Sequence, residues 1–171
     1  MTKINDVIEF KNIMYPDERG FFMEIFRDSN DICRHVVQEN ASCSNKYVIR
    51  GLHYQTGMYA QGKFVQVLQG SLYDMIVDLR IDSSTYGNHM IVKLDTTNSL
   101  WVPRGCAHGI FIVQDNTIFL YRCDNTYNKA HETGLRWDDP KFTFKYTIED
   151  QVIINERDQT WPLFNDCIKY E

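Results

Sequence analysis

The stretch Val48-Ile49-Arg50-Gly51-Leu52-His53-Tyr54-Gln55 joins a β-branched pair to an arginine, a glycine and a histidine with apolar neighbours. This composition favours a strand that ends near the histidine. Histidine is the side chain whose ordinary pKa lies closest to physiological pH, so His53 is a candidate for moving protons. A histidine among apolar residues is nevertheless more often a hydrogen-bonded core residue. The functional interpretation therefore depends on the partners that the rest of the chain supplies.

Length and composition limit the class of protein. The 171 residues predict one domain over residues 1–171, long enough to bury a full core. Aromatic residues form 13% of the chain, which favours a core built from strands. The formal net charge is -5 and no long basic run occurs, so we expect no nucleic-acid partner. Because no apolar run could span a bilayer and the N-terminus lacks a signal-peptide pattern, we expect no membrane partner either.

Turn signals divide the chain into roughly ten short, strand-like segments. Residues 62–69 and 71–80 flank a turn at Gly70, and residues 110–113 and 118–121 predict a second hairpin. Further predicted strands are 21–27 and a last short one at Phe142 and Phe144, whereas 29–37 predicts one of a few short helices. Many short strands with little helix are typical of sandwiches and barrels. An all-β jelly-roll barrel fits best, with an interior able to hold a ligand.

Cysteines and histidines bear on the compartment and on metals. The five cysteines are scattered without a C-x-x-C pair, which favours reduced thiols in a cytoplasmic protein over disulfides or a zinc cage. A metal-binding barrel of this kind would need a second histidine beside His53, but Gln55 stands there. His108 adds one histidine, yet two histidines without a clear carboxylate ligand make a poor metal site. We therefore expect no metal. The lack of G-x-G-x-x-G and Walker motifs argues against nucleotide cofactors bound in those ways.

The remaining chemistry is proton transfer without a cofactor. Removal of a proton next to a carbonyl group needs a base, a cation or donor for the enolate oxygen, and an acid on the opposite face. His53 can be the base, with a carboxylate on its far nitrogen to fix the tautomer. Lys63 can stabilise the enolate, although a solvated strand end is the commoner role of such a lysine. A tyrosine can be the acid, but the residues alone do not choose among ten tyrosines.

Several sequence blocks occur in one order over nearly the whole chain. They are Asp17-Glu18-Arg19-Gly20-Phe21-Phe22, Arg50-Gly51-Leu52-His53-Tyr54-Gln55, Ala60-Gln61-Gly62-Lys63, Tyr73-Asp74 through Val77-Asp78-Leu79-Arg80, Ser84-Thr85-Tyr86-Gly87, Leu100-Trp101-Val102-Pro103 with Gly105-x-Ala107-His108-Gly109, and Arg136-Trp137-Asp138-Asp139-Pro140. With these blocks in register, the chain resembles the dTDP-4-dehydrorhamnose 3,5-epimerase family. The resemblance implies a cupin-type jelly roll, a homodimer, and an enzyme without a metal or an organic cofactor.

The resemblance also implies roles for residues at matching positions. His53 would be the base at carbons 3 and 5 of a nucleotide-linked 4-keto-6-deoxy sugar, with Asp158 as its partner. Tyr121 would be the acid, and Lys63 would face the keto oxygen. From the residues alone, Tyr121 would be a core tyrosine and Asp158 a helix cap or turn residue. The other predicted substrate-binding residues are Arg50 and His108 at the sugar, Tyr127 near the sugar or diphosphate, Gln55, and Arg19, Phe22, Glu24, Gln38 and Asn40 in the nucleotide region, part of which would reach the site from the neighbouring subunit.

The two roles given to Arg50 and His53 set a geometric condition. Strict strand alternation would place these side chains on opposite faces. Both reach the sugar only if a bulge or a strand end lies between them. A regular, unbroken strand from Arg50 to His53 would contradict the pairing.

The chain departs from the family pattern at a few positions. The family commonly has Phe where Cys106 and Ile110 stand, Pro where Lys129 stands, and Trp-Pro where Tyr146-Thr147 stands. These departures leave the nucleotide and the number of inverted carbons open. The alternatives are a single-centre epimerase or a sugar 3,4-ketoisomerase on the same scaffold, and a non-catalytic sugar-nucleotide binding protein.

Overall fold

The computed structural model describes residues 3–27, 35–142, 144, 148 and 151–171. Within these ranges the chain forms twelve strands: β1 Ile8–Lys11, β2 Met14–Asp17, β3 Gly20–Met23, β4 Gln38–Ser44, β5 Ile49–Gln55, β6 Lys63–Gln69, β7 Leu72–Asp78, β8 His89–Leu94, β9 Asn98–Val102, β10 Cys106–Ile112, β11 Thr117–Cys123 and β12 Glu132–Gly134. Two 3-10 turns, Gly57–Tyr59 and Lys129–His131, and one short helix, α1 Glu156–Gln159, complete the described elements.

Ten of these strands form two five-stranded antiparallel sheets. The first sheet has the order β1-β9-β6-β11-β4 and the second has the order β12-β5-β10-β7-β8, while β2 and β3 pair as a separate hairpin. Both sheets contribute side chains to one apolar core, for example Val65 and Phe119 from the first and Ile76 and Ile110 from the second. Two antiparallel sheets that face each other across a shared core form a jelly-roll barrel. This architecture is the one that the strand pattern predicts.

The barrel interior changes from apolar to polar toward one mouth. On β6, Val65 and Val67 lie in the shared core, and alternation places Lys63 on the same face at the start of the strand. Lys63 pairs with Cys123 at the end of β11, and His108 near the start of β10 pairs with His53 near the end of β5. Polar side chains from several strands therefore meet at this mouth.

A second apolar cluster covers the outer face of the second sheet. It combines Met75 of β7 and Phe111 of β10 with Phe164 and Cys167 from the C-terminal segment. The same segment is hydrogen-bonded to the start of β5, where the Ile49 N–H donates to the carbonyl of Ile153 at 2.9 Å. This packing carries α1 to the mouth of the barrel.

The strand predicted at 21–27 ends early, at Met23. Beyond Met23 the chain crosses the outer face of the first sheet instead of continuing the β2–β3 hairpin. Arg122 Nη1 donates to the carbonyl of Ile25 at 3.3 Å, and the Arg122 guanidinium lies over the Phe26 ring. These contacts of a buried arginine replace the strand pairing that the alternating sequence favours.

Two other local predictions also differ. Phe142 and Phe144 are buried, but neither is in a strand, because both rings pack in the second cluster and against His89. The helix predicted at 29–37 falls mostly outside the described residues, and residues 35–37 are not helical. Tyr146-Thr147, one of the departures from the family pattern, also lies outside the described residues.

Candidate active site

His53 and Asp158 form a hydrogen-bonded pair although 105 positions separate them. Strand β5 carries His53 and helix α1 carries Asp158, and His53 Nε2 lies 2.7 Å from Asp158 Oδ1. An ionised carboxylate only accepts hydrogen bonds, so Nε2–H donates and Nδ1 is left as the basic nitrogen. The structure thus brings the predicted base together with its predicted partner.

Asp158 is fully buried and is held from several sides. The Asn155 side chain caps α1 by accepting from the Asp158 amide at 2.7 Å, and Asp158 Oδ2 accepts from the Gly51 amide at 3.0 Å. Burial opposes ionisation of Asp158, but the hydrogen bond and charge of His53, aided by the Gly51 amide, keep its pKa below the ordinary value. Asp158 is therefore charged at neutral pH and can stabilise the imidazolium of His53.

A bulge in β5 turns Arg50 and His53 toward the same side. His53 pairs with His108 and Arg50 pairs with Ile110, so β5 advances three residues where β10 advances two. Gly51 lies within the bulge at a φ of 121°, and its peptide bond to Leu52 is cis. The break in alternation that the two predicted roles require is thereby confirmed.

The bulge opens onto a cavity of about 240 Å³ at the barrel mouth. Its lining contains the four predicted catalytic residues and the two predicted sugar-binding residues, namely His53, Lys63, Tyr121, Asp158, Arg50 and His108. An adjoining cavity of about 100 Å³ shares His53, Lys63 and Tyr121 and adds Gln38, Gln55 and Tyr127. Nine of the predicted residues therefore converge on one region of the barrel.

Asn40 lies next to this region, opposite Tyr121 in the β4–β11 pairing. Its side-chain oxygen accepts from Gln38 Nε2 at 3.0 Å. Its Nδ2 is buried and has no hydrogen-bond partner among the described residues. A buried donor without an acceptor is costly, so this amide is suited to a bound polar ligand.

Lys63 places a buried ammonium group in both cavities. Over the described ranges, its Nζ forms no hydrogen bond or ion pair. Burial lowers the pKa of Lys63, and the nearby Cys123, Asp74 and Glu132 only partly oppose this effect. A desolvated cation of this kind interacts strongly with an oxyanion that enters the cavity.

Burial shifts the pKa values of Tyr121 and His108 in opposite directions. Burial raises the pKa of Tyr121, so the phenol keeps its proton at neutral pH and can act as a donor. Burial and the charge of Lys63 lower the pKa of His108, so its imidazole is neutral. His108 Nδ1 lies 3.3 Å from Asp74 Oδ1. If this carboxylate accepts from Nδ1–H, His108 Nε2 is left as an acceptor.

The structure also bears on metal sites, disulfides and membrane-spanning helices. Among the described residues, no three His, Cys, Asp or Glu side chains converge as a metal ion would require. None of the four described cysteines takes part in a disulfide. In the same ranges, no helix is long and apolar enough to cross a bilayer.

Comparison with known proteins identifies the family. A sequence model described as dTDP-4-dehydrorhamnose 3,5-epimerase matches residues 1–166. The chain belongs to this family. The dTDP-4-dehydrorhamnose 3,5-epimerase of Shigella flexneri is 40% identical over 159 residues, which cover 89% of this chain and 88% of that protein. The match confirms the family that the sequence blocks indicated, and with it the enzyme class, a nucleotide-sugar epimerase.

Solved structures of this epimerase family are similar over nearly the whole chain. The dTDP-4-dehydrorhamnose 3,5-epimerase of Elizabethkingia anophelis NUHP1 has a TM-score of 0.87 at 35% identity, covering 97% of this chain and 95% of its own. The dTDP-6-deoxy-D-glucose-3,5-epimerase of Legionella pneumophila Philadelphia 1, solved with dTDP-4-keto-L-rhamnose, has a TM-score of 0.89 at 34% identity, covering 96% and 91%. These similarities confirm the cupin-type jelly roll.

Three residues assigned by analogy with the epimerase family lie away from the cavity. Arg19 and Phe22 are in the β2–β3 hairpin, and Glu24 follows β3, where it forms an ion pair with Arg27. Phe22 and Glu24 line a groove of about 750 Å³ on the outer face of the first sheet, together with Phe10, Ile13, Tyr15, Phe26 and Phe64. Within one copy of the chain, these three residues are not brought to the cavity.

Two charged residues that received no role from the family resemblance, Glu132 and Arg157, also line the cavity. Glu132 Oε2 accepts from Arg157 Nη1 at 2.6 Å and from the Tyr127 hydroxyl at 3.0 Å. Arg157 directly precedes Asp158, and this adjacency is a signal that the sequence carries. Glu132 has no such signal, because only the pairing of β12 with β5 places it opposite Gln55.

Proposed function

We propose that the chain is a cofactor-independent 3,5-epimerase of a dTDP-linked 4-keto-6-deoxy sugar, acting as a single domain over residues 1–171. The observation that carries this proposal is the His53–Asp158 pair, which shares a cavity with the Lys63 ammonium. A base and a cation in one cavity meet the needs of proton removal next to a carbonyl group. The family match and the dTDP-4-keto-L-rhamnose bound to the Legionella enzyme support this substrate class.

In the proposed reaction, Nδ1 of His53 takes the proton from carbon 3 or carbon 5, each of which adjoins the C4 keto group. The electron pair of the broken C–H bond forms a C=C bond to carbon 4, and the keto oxygen becomes an enolate oxygen. Lys63 stabilises this oxygen, while Asp158 stabilises the imidazolium. Tyr121 then gives its proton to the opposite face of the carbon, which inverts the configuration. Solvent takes the proton from His53 and returns one to Tyr121.

Other lining residues are assigned to substrate binding. Arg50 Nε donates to Ser44 Oγ at 3.1 Å, which leaves its terminal nitrogens for the ligand. The neutral His108 can accept from a sugar hydroxyl through Nε2, and the orphaned Asn40 Nδ2 can donate to a ligand oxygen. We assign Gln55 and Tyr127, which line the adjoining cavity, to the outer part of the substrate.

Solvent deuterium exchange tests the proposed function. The protein is incubated with dTDP-4-keto-6-deoxyglucose in heavy water, and exchange is followed by mass spectrometry and proton NMR. Deuterium at both carbon 3 and carbon 5 is the expected result. Exchange at one carbon only would indicate a single-centre epimerase or a 3,4-ketoisomerase, which the NMR spectrum of the product distinguishes. Tight binding without exchange would overturn catalysis in favour of a binding protein.

The fall in rate at high pH, the basic limb of the pH–rate profile, is expected to reflect deprotonation of the Lys63 ammonium group. Because burial lowers the pKa of Lys63 from its ordinary value of 10.5, the ammonium loses its proton at a lower pH than usual, and the rate should fall there. Tyr121 is not expected to cause this fall, because its pKa is raised. Lys63→Met should lower kcat by about 10²–10³-fold, as for the loss of one oxyanion donor.

A matched variant separates charge from other causes of that limb. Lys63→Arg retains a cation that stays protonated throughout the accessible pH range. Its residual activity is therefore expected to lack the basic limb. A limb of unchanged position in Lys63→Arg would show that another group causes it.

We also propose that the active form is a homodimer. Ile13, Tyr15, Phe21 and Phe22 on or beside the β2–β3 hairpin are all more than half exposed. Ile13, Tyr15 and Phe22 line the outer groove, and Phe21 adjoins Phe22 in the chain. An apolar patch of this kind is typical of a protein interface. A second copy of the chain is the proposed occupant, because its hairpin would bring Arg19, Phe22 and Glu24 to a cavity that they do not reach in their own chain.

A charge in this hairpin is expected to split the dimer. Phe22→Glu should halve the molar mass seen by analytical ultracentrifugation and raise the KM for the dTDP-sugar. Met58→Glu is the matched control, because Met58 is 80% exposed but lies outside the groove. A wild-type protein that is monomeric at assay concentration would contradict the dimer.

Because the described cysteines form no disulfide, we further propose that the enzyme works in the cytoplasm.

A further inference from the structure

Trp161 contacts the catalytic pair from the side that faces away from the substrate. Its indole Nε1–H donates to Asp158 Oδ1 at 3.2 Å, the same oxygen that binds His53 Nε2 at 2.7 Å. The indole also meets the His53 ring edge-to-face, with centroids 6.1 Å apart and an interplanar angle of 78°. Trp161 is absent from the lining of both cavities, so it contacts the base and its partner without contacting the space for the substrate.

The seat of the indole is shaped by a glycine on the neighbouring strand. Gly134 of β12 pairs directly with His53 of β5. A Cβ at position 134 would lie only 2.5 Å from the Trp161 ring, so the indole occupies the space that the missing side chain leaves. On the helix side, the Arg157 guanidinium lies 5.6 Å from the Trp161 ring centroid. The ring is therefore fixed between β12 and α1.

We propose that Trp161 is a positioning residue for the base: its N–H holds Asp158 Oδ1 and thereby sets the orientation and strength of the Asp158–His53 hydrogen bond. Asp158 Oδ2 accepts from the Gly51 amide, and Oδ1 divides its acceptor capacity between His53 and Trp161. The Arg157 guanidinium lies farther from the same oxygen, with Nε at 3.6 Å, and its charge is unchanged when the indole N–H is removed. Without the indole donor, the carboxylate is less restrained and accepts more strongly from His53. As a role in catalysis, this inference rests on the proposed function.

The direction of the pH effect follows from this sharing. A carboxylate that accepts more strongly from Nε2–H stabilises the imidazolium over the neutral ring. The base then becomes protonated at a higher pH, and the acid limb of kcat/KM moves upward in pH. Because one long hydrogen bond from a neutral donor to the carboxylate is lost while His53 and Gly51 still donate to it, a shift of about half a pH unit and a fall in kcat of about three- to tenfold are expected. KM should change little, since Trp161 does not line the cavity.

The test compares Trp161→Phe with Trp137→Phe. The first keeps an aromatic ring in the Gly134 seat but removes the N–H, whereas Trp137 packs against the second apolar cluster and has no contact with the pair. Trp161→Phe is expected to show the acid-limb shift and the lower kcat, and Trp137→Phe neither. Identical pH profiles for Trp161→Phe and the wild type would overturn the proposal, even if thermal stability fell.

A second variant and a substrate-free readout keep the test independent of the reaction. Gly134→Ala keeps the N–H but displaces the indole, so it should shift the profile in the same direction, and the double variant should show no larger shift than Trp161→Phe. In protein without substrate, the His53 Nε2–H proton resonance should move in Trp161→Phe and stay in place in Trp137→Phe. A wild type that never exchanges deuterium would overturn the proposed function while this resonance still reports on the contact. An unmoved resonance would overturn the positioning role alone.

Discussion

A His53→Ala variant is expected to lose deuterium incorporation at both carbon 3 and carbon 5. One imidazole serves both carbons in the proposed reaction, so no second base takes over at either of them. General-base catalysis of this kind contributes about 10²–10⁴-fold, and the variant should lose at least that much in exchange rate. The measurement is the rate of deuterium uptake at each carbon, followed by NMR in heavy water.

The matched control for this variant is His131→Ala. His131 packs against Tyr59 with ring centroids 4.6 Å apart and lines neither cavity. The His131→Ala protein should incorporate deuterium at the wild-type rate. The His53→Ala protein should still bind dTDP, because the base removes a proton and does not hold the nucleotide. Wild-type exchange at one carbon in His53→Ala would show that a second base acts there.

Local sequence rules were sufficient for the class of fold, and combined with the family resemblance they predicted one detail of the site. Short strands between turn signals predicted the barrel, because alternating or continuous apolar runs of strand length stand between turn residues. Strand alternation, together with the roles that the family resemblance gives to Arg50 and His53, predicts a bulge or a strand end between these two residues. The structure has that irregularity, with its extra residue beside Gly51.

The rest of the site depends on contacts that no local pattern encodes. Asp158 reaches His53 only because the C-terminal segment packs on the second sheet, and Glu132 reaches the cavity only because β12 adds to β5. The choice of Tyr121 among ten tyrosines came from the family resemblance, since an inward tyrosine on a buried strand looks like any core residue. The sequence also gave no sign of the role of Trp161, because the glycine that makes room for its ring, Gly134, lies 27 positions earlier in the chain.

The close approach of β5 to β10 at the bulge makes Gly51 a sensitive backbone position near the base. A Cβ on residue 51 would lie 2.5 Å from Gly109 Cα and 2.9 Å from the His108 carbonyl oxygen. The φ of 121° is also a conformation that alanine adopts only with strain. Gly51→Ala should therefore lower the free energy of unfolding by about 2–5 kcal/mol, combining backbone strain with overpacking. Chemical denaturation measures this loss.

A glycine in the β2–β3 hairpin separates the two causes. Gly20 has a similar φ of 131°, but a Cβ there would meet nothing within 4 Å, so Gly20→Ala should cost only the strain, about 1–2 kcal/mol. In Gly51→Ala, β5 must move away from β10, and His53 and Arg50 move with it. The exchange rate should then fall by more than tenfold even in the fraction that remains folded, since small displacements of a base are costly. Equal losses of stability in the two variants would show that the close approach of Gly51 to Gly109 does not hold the bulge.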